Sequence, residues 1–147
     1  MTQKLKVVWI CHFSNQEIRD MIPLSKMTIF SYIKRIIGRG KFVYTDFAPW
    51  VNNLIKEFEN FEDVELHIIA PHSGLKCKTF ETKLNGLHYH FFQHDYPFPF
   101  DKITYKLYRK KKEKFYRNRK FVKQFIRKIK PDIINLVGTE NPYYSIT

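Results

Sequence analysis

The order of apolar and polar positions along the chain predicts buried strands separated by helices. Three apolar runs without regular alternation are typical of strands covered on both faces, as in parallel sheets: residues 6–11, 64–70 and 132–137. Residues 79–92 predict a β-hairpin, because Asn85 and Gly86 stand between two runs of strand-forming residues.

Helical spacing of apolar residues predicts helices at 28–38, 46–60 and 102–130. The second has Asp46 as a candidate N-cap and Pro49 in its first turn. Its expected buried stripe consists of Trp50, Leu54 and Phe58, together with Val51 and Ile55. The expected apolar face of the long third helix comprises Tyr108, Phe115, Val122, Phe125, Ile126 and Ile129.

The succession of strand, helix, strand, hairpin strand, helix and strand predicts an α/β fold class with right-handed crossovers. We expect a Rossmann-like three-layer domain with a mainly parallel sheet and a small β-hairpin, within a chain of 147 residues. Only two cysteines are present, Cys11 and Cys77, so no disulfide framework is implied and a reducing cytoplasmic setting fits. Cys11 is expected to be a small buried side chain at the end of the first strand.

Two loops have the position at which parallel sheets bind ligands, beyond the carboxyl ends of strands. One follows the first strand and contains Ser14 and Asn15. The other follows the last strand, where Gly138 permits close approach of backbone to a ligand and polar groups come next: Thr139, Glu140 and Asn141. The alternative for this second loop is a plain strand-to-helix connection with a cap.

Several stretches resemble one family when their order and spacing are taken together: KVVWICHFS, DFAPWVNNLIKEFENFEDVELHIIAP, LNGLHYHFF and IRKIKPDIINLVGTENPYYSIT. They are similar to the N-terminal half of family 4 glycosyltransferases of the GT-B type, in particular bacterial enzymes of capsular or cell-surface polysaccharide biosynthesis. The resemblance implies that residues 1–147 are an incomplete, acceptor-binding, Rossmann-like domain. A missing C-terminal domain would bind the nucleotide-diphospho-sugar, which is a substrate, so no cofactor is expected. The fragment alone is then expected to be inactive.

The same resemblance implies a set of acceptor or cleft residues, with no catalytic residue identified: Ser14, Asn15, Trp50, Gly138, Thr139, Glu140 and Asn141. Two departures from the family pattern bear on this set. Ala48 and Pro49 stand where Gly-Gly usually precedes the helix that carries the Trp, so phosphate binding by backbone N–H groups is not expected there. The last strand also lacks a cleft-side His that the family often has.

The net charge of +12 is concentrated in one segment. Residues 106–130 contain 13 Lys and Arg but one acid, Glu113, whereas the rest of the chain is balanced. Because like charges one helical turn apart repel, this excess indicates a binding surface, and we favour an anionic membrane surface at the inner face of the plasma membrane. The predicted basic patch comprises Arg109, Lys110, Lys111, Lys112, Lys114, Arg117, Arg119 and Lys120.

Other interpretations remain open. The basic segment is also compatible with a nucleic-acid-binding α/β module, in which aromatic residues would stack on bases: Phe115, Tyr116 and Phe121. The helix at 28–38 fits either an interfacial amphipathic helix or a core helix. His12 is a candidate base or an ordinary loop residue. An even spacing would place three histidines on one face of a strand, where they could bind zinc: His88, His90 and His94. We expect instead a half-exposed strand with His on its solvent-facing side and no metal.

Overall fold

The computed structural model describes residues 4–24, 49–72, 74–93 and 115–138. Its elements, in chain order, are β1 (Leu5–Ile10), α1 (Gln16–Met21), α2 (Pro49–Phe58), β2 (Val64–Pro71), β3 (Thr79–Leu84), β4 (Leu87–Phe92), α3 (Tyr116–Ile129) and β5 (Ile133–Leu136). The predicted helix at 28–38, Asp46 and the first part of the predicted helix at 102–130 lie outside the described residues.

The described strands form one sheet in the order β3-β4-β2-β1-β5. β1 pairs in parallel with both β2 and β5, and β2 pairs in parallel with β4. Among the strands that the structure describes, the β3–β4 pair alone is antiparallel. The turn residues of this hairpin, Asn85 and Gly86, both have positive φ, as a two-residue hairpin turn of type I′ requires. The predicted α/β class, the mainly parallel sheet and the hairpin are therefore confirmed.

Helices pack on both faces of the sheet because side chains along each strand alternate between the two faces. On one face the buried residues of β1 and β2 meet α1 and α2 through Val7, Trp9, Leu66, Ile68, Ile18, Val51 and Ile55. On the other face β1, β2 and β4 meet α3 through Val8, Ile10, Ile69, Phe92, Val122, Phe125 and Ile129. Cys11 is buried at the end of β1, as predicted.

The stripe predicted for α2 is partly wrong. Val51 and Ile55 are buried, but Trp50 is 55% exposed and Leu54 is 45% exposed. The apolar positions of this helix span roughly 140° of its circumference at 3.6 residues per turn, which is wider than the strip that one sheet covers. The sheet contacts the side with Val51 and Ile55, so Trp50 and Leu54 remain on the surface.

The sequence analysis missed α1, which lies inside a stretch without apolar periodicity. This helix has six residues, and only Ile18 and Arg19 are buried, so it shows too few turns to give a repeating pattern. It begins because the side chain of Asn15 accepts a hydrogen bond from the Ile18 N–H at 2.8 Å, which is an N-cap.

The predicted apolar face of α3 is confirmed where the structure describes it. Phe115, Val122, Phe125 and Ile129 are buried, and Tyr108 lies outside the described residues. The helix ends at Ile129, where Lys130 adopts the left-handed conformation and its N–H donates to Ile126 O.

Candidate functional site: the carboxyl edge of the sheet and a histidine network

The carboxyl ends of β1 and β5 lie side by side at the point where the strand order reverses. After β1 the chain builds the sheet outward through β2 and β4, and it then returns to the opposite side of β1 as β5. The N–H of Val137 donates to Ile10 O at 2.9 Å, so the segments that follow the two strands start next to each other. Ligands of open parallel sheets bind at such a switch point.

The loop after β1 is held by hydrogen bonds of its own side chains. Ser14 Oγ accepts from Arg19 Nη1 at 3.0 Å, and both residues are buried. Asn15 caps α1, while its Nδ2 donates to Asn52 Oδ1 on α2 at 3.3 Å. Ser14 and Asn15 therefore shape the loop and tie it to α2.

The predicted cleft residues are only partly described. Gly138 follows β5 with φ of 77°, in the left-handed region that favours glycine, which agrees with the predicted tight turn. Trp50 presents an exposed indole on the first turn of α2, two residues before Asn52. Thr139, Glu140 and Asn141 lie outside the described residues, so their role stays a prediction.

Burial changes the acid–base properties of two residues at the end of β1. Burial raises the pKa of the Cys11 thiol to about 12, so the thiol stays protonated near neutral pH and is a poor nucleophile. Burial also lowers the pKa of His12 from 6.5, so its imidazole is mainly neutral there. A neutral imidazole has the protonation state that a general base needs, and the predicted role of His12 remains open.

A second cluster of polar residues lies under α3, on the face of the sheet opposite α1 and α2. Five side chains, here called the histidine network, form a continuous series of contacts: Glu65, His67, His90, Glu81 and Lys128. His67 Nε2 lies 2.8 Å from Glu65 Oε1, His67 Nδ1 lies 3.0 Å from His90 Nε2, and His90 Nδ1 lies 2.9 Å from Glu81 Oε2. Lys128 Nζ then donates to both oxygens of Glu81, at 2.7 and 2.8 Å.

Burial is the main influence on the pKa values of the two imidazoles in the network. It lowers the pKa of His67, against the opposing effect of the Glu65 carboxylate. It lowers the pKa of His90 from 6.5 to about 4, although Glu81 favours the charged form. Partial burial is the largest single influence on Glu65 and Glu81 and opposes their ionisation. The hydrogen bonds and the nearby positive charges together outweigh it and lower both pKa values.

The expectation of a histidine-bearing, solvent-facing strand is wrong for His90. Its side chain is buried, and its ring centre lies 5.1 Å from that of Phe125 on α3, which covers this part of β4. His94 lies outside the described residues. Within the described ranges, no group of three or more His, Cys, Asp or Glu side chains is arranged to hold a metal ion.

The sequence analysis did not connect His67 with the β4 histidines. Glu65 and His67 share one face of β2, and His88 and His90 share one face of β4, which the alternation within each strand indicates. What the sequence does not give is the register, which pairs His67 with His88 and Ile69 with His90. That register brings the two buried imidazoles into contact.

The outer face of α3 forms a basic surface. Its described residues line a groove of about 310 Å³: Tyr116, Arg119, Lys120, Lys123, Gln124 and Arg127. Arg117, Arg119 and Lys120 of the predicted patch lie on this helix, whereas Arg109, Lys110, Lys111, Lys112 and Lys114 lie outside the described residues. Lys123 and Arg127 extend the patch beyond its predicted limit.

The aromatic residues proposed for base stacking differ in their surroundings. Phe115 is buried. Phe121 packs against Phe92 with ring centres 5.9 Å apart, and the Arg117 guanidinium lies 5.6 Å from its ring centre. Tyr116 is exposed. Of these aromatics, Tyr116 is the most exposed and Phe121 is half-buried.

Comparisons with known proteins leave the family of the chain a prediction. No family model matches it, and neither curated proteins nor solved structures give a match. Among the residues that the structure describes, no helix has the length and hydrophobicity that crossing a bilayer requires.

Proposed function

We propose that this chain is the acceptor-side domain of a sugar transferase of the GT-B type. The transferase would move a sugar from a nucleotide-diphospho-sugar to a saccharide acceptor, with a second domain supplying most of the donor site. The strand order is the observation that supports this proposal. If the parallel strands β1, β2, β4 and β5 are numbered 1 to 4 in chain order, they lie in the sheet as 3-2-1-4. This is the order with which a doubly wound Rossmann-like sheet begins. The point where the order reverses lies beside the predicted acceptor loops.

The acceptor would lie on the carboxyl edge, across the loop after β1, Gly138 and the first turn of α2. Hydrogen bonds that already hold Ser14 and Asn15 reduce the conformational entropy lost when a ligand binds to that loop. The exposed Trp50 indole offers a large rigid apolar surface with one N–H donor, which suits the mixed polar and apolar faces of a sugar ring.

The basic surface of α3 would place this domain on the inner face of the plasma membrane. From Tyr116 to Lys130 the chain has seven Lys and Arg residues and no acid. Each basic residue near an anionic bilayer contributes roughly 1 kcal/mol of binding free energy. A lipid-linked acceptor would then be presented to a domain already held at the membrane, which raises its effective concentration.

The second candidate function is nucleic-acid binding by the same helix, and the basic groove is the observation that favours it. Two of the aromatic residues make this function less favourable. Phe115 is buried, and Phe121 packs against Phe92 and lies beside the Arg117 guanidinium. Single strands are bound without sequence preference by stacking of their bases on exposed aromatic rings. Binding to anionic vesicles and to single-stranded RNA at equal salt separates the two. Tight RNA binding without vesicle binding would favour this second function.

Photo-cross-linking tests the proposed acceptor site directly. The probe is a polyprenyl-diphosphate-linked saccharide with a diazirine on its terminal sugar, presented in bilayers that contain anionic lipid. We expect labelling of peptides that contain residues 11–15, Trp50 or Gly138, and loss of labelling when excess unmodified acceptor is added. A probe that lacks the saccharide is the matched control. Labelling confined to the β3–β4 hairpin, or labelling that the acceptor does not reduce, would overturn the proposal.

A further inference from the structure

The histidine network joins the sheet to α3 through side chains alone. Glu65 and His67 come from β2, His90 from β4, Glu81 from β3 and Lys128 from α3. The two imidazoles are buried, and three contacts of 2.8 to 3.0 Å involve their nitrogens. Such distances are those of hydrogen bonds, so each contact is satisfied only when one proton lies between its two heavy atoms.

The number of protons decides whether all three contacts are hydrogen bonds. An ionised carboxylate only accepts, so His67 Nε2 must carry a proton toward Glu65 and His90 Nδ1 must carry one toward Glu81. A third proton is needed between His67 Nδ1 and His90 Nε2. Two neutral imidazoles hold two protons in total, which leaves one contact with an acceptor facing an acceptor. One additional proton completes all three hydrogen bonds.

We propose that His67 and His90 bind one proton as a unit, and that this shared proton completes the hydrogen-bonded connection from β2 to α3. The added proton comes from solvent and leaves one imidazolium and one neutral imidazole, with the charge distributed across the contact between the two rings. Its uptake also balances charge. The two carboxylates contribute two negative charges, and Lys128 together with the shared proton contributes two positive charges.

A second added proton is disfavoured by the same geometry. It would place N–H groups of two imidazolium ions opposite each other across 3.0 Å. The surrounding positive groups act in the same direction. Lys6 on β1 disfavours a charge on His67, and Lys128 disfavours one on His90. The ring of His88 stacks on His67 with ring centres 4.6 Å apart, and a proton on either of these two rings disfavours one on the other. The pair therefore accepts one proton over the range in which two independent histidines would accept two.

Proton uptake changes how the network joins β2 to α3. Without the third proton, each imidazole donates its one N–H to a carboxylate, so His67 Nδ1 and His90 Nε2 face each other as two acceptors and their contact lacks a hydrogen bond. The link from His90 through Glu81 to Lys128 is kept in that state. With the third proton, His67 is joined to that link, and the connection from β2 to α3 is continuous. This connection is consequently sensitive to pH, and burial of both rings places the transition below the usual histidine range.

Imidazole ¹⁵N NMR of the labelled protein from about pH 8 to about pH 3 tests this inference. We expect the His67 and His90 resonances to shift together with one midpoint, and their combined change to equal one proton. His88→Gln, which changes a ring outside the network, should leave the joint transition in place. Lys128→Met removes a positive charge and should raise the midpoint, whereas Glu81→Gln removes a negative charge and should lower it.

Two separate midpoints, with each ring reaching a full imidazolium within this range, would overturn the inference. His67→Gln supplies a second test, because glutamine donates and accepts hydrogen bonds but does not titrate here. In that variant His90 should titrate as a single site with a shifted midpoint, and an unchanged His90 titration would contradict shared binding. If a variant does not fold, the titration of the unmodified protein decides alone.

Discussion

His67 Nδ1 lies 3.0 Å from His90 Nε2, across the parallel pairing of β2 and β4. This buried contact lies under α3, in the middle of β2 and β4. The proposed acceptor site lies at the carboxyl ends, beside α1 and α2. The two features therefore occupy opposite faces of the sheet, and substitutions in one should have little effect on the other where they share no side-chain partner.

Stability should fall as the pH is lowered through the histidine range. The folded pKa of His90 is about 4 and the unfolded value is near 6.5, so between these values the unfolded chain binds more protons and acidification favours it. For His90 alone the loss between about pH 7 and about pH 5 is about 2 kcal/mol. His67 and His88 have lowered pKa values as well and act in the same direction.

Urea unfolding at the two pH values measures this loss. His90→Gln should show a smaller difference between them than the unmodified protein, because the titrating ring is absent. Equal stability of the unmodified protein at both pH values would contradict the burial of neutral histidines under α3.

Asn15→Ala should destabilise the protein by about 1 kcal/mol, the typical cost of losing an N-cap side chain. The substitution removes the hydrogen bond from Ile18 N–H and the contact with Asn52. Asn15→Asp keeps the capping acceptor and should recover most of the loss. Chemical unfolding measures both variants, and an Asn15→Ala protein as stable as the original would show that this cap does not hold the loop.

Trp50→Ala should weaken acceptor binding while changing the free energy of unfolding by less than about 0.5 kcal/mol, because the indole is on the surface. Leu54→Ala, one turn further along α2 and also exposed, is the matched control and should preserve binding. Isothermal titration calorimetry with a soluble acceptor saccharide gives both affinities and does not depend on tryptophan fluorescence. Equal losses in the two variants would indicate a general surface effect instead of a contact from Trp50.

Neutralising positive charge on the outer face of α3 should weaken binding to anionic vesicles. Neutralisation of Lys120, Lys123 and Arg127 to Gln removes roughly 3 kcal/mol, or on the order of 100-fold in partitioning, at about 1 kcal/mol per basic residue. The control neutralises three exposed lysines elsewhere, at Lys56, Lys76 and Lys78. Vesicle sedimentation compares the two triple variants, and equal losses would assign the effect to net charge and not to this helix.

The sequence predicts those parts of the fold that depend on local periodicity. The strands, the Asn85–Gly86 turn and the buried face of α3 all follow from alternation or helical spacing within one element. The position of Trp50 does not follow, because the width of the contact between α2 and the sheet depends on neighbouring elements. The short helix α1 also escapes prediction, because six residues with two buried positions give no repeating pattern, and the N-cap residue Asn15 alone does not indicate a helix.

The candidate sites likewise include residues that the sequence predicts and residues that it does not. Ser14, Asn15 and Gly138 could be placed at the carboxyl edge because each directly follows or nearly follows a strand. The histidine network could not be predicted, because it requires the register of β2 against β4 and the covering of both by α3. These relationships join residues distant in sequence, and spacing within one strand carries no information about them.

Hydrogen–deuterium exchange of the membrane-bound chain, with and without a polyprenyl-diphosphate-linked saccharide, tests the central claim most directly. The acceptor is proposed to lie at the carboxyl edge of the sheet, so we predict slower exchange in residues 11–15 and 137–138 when it is added. Exchange in the β3–β4 hairpin should not change. Unaltered exchange at the carboxyl edge under saturating acceptor, or slowing confined to α3, would contradict the assignment of this edge as the acceptor site.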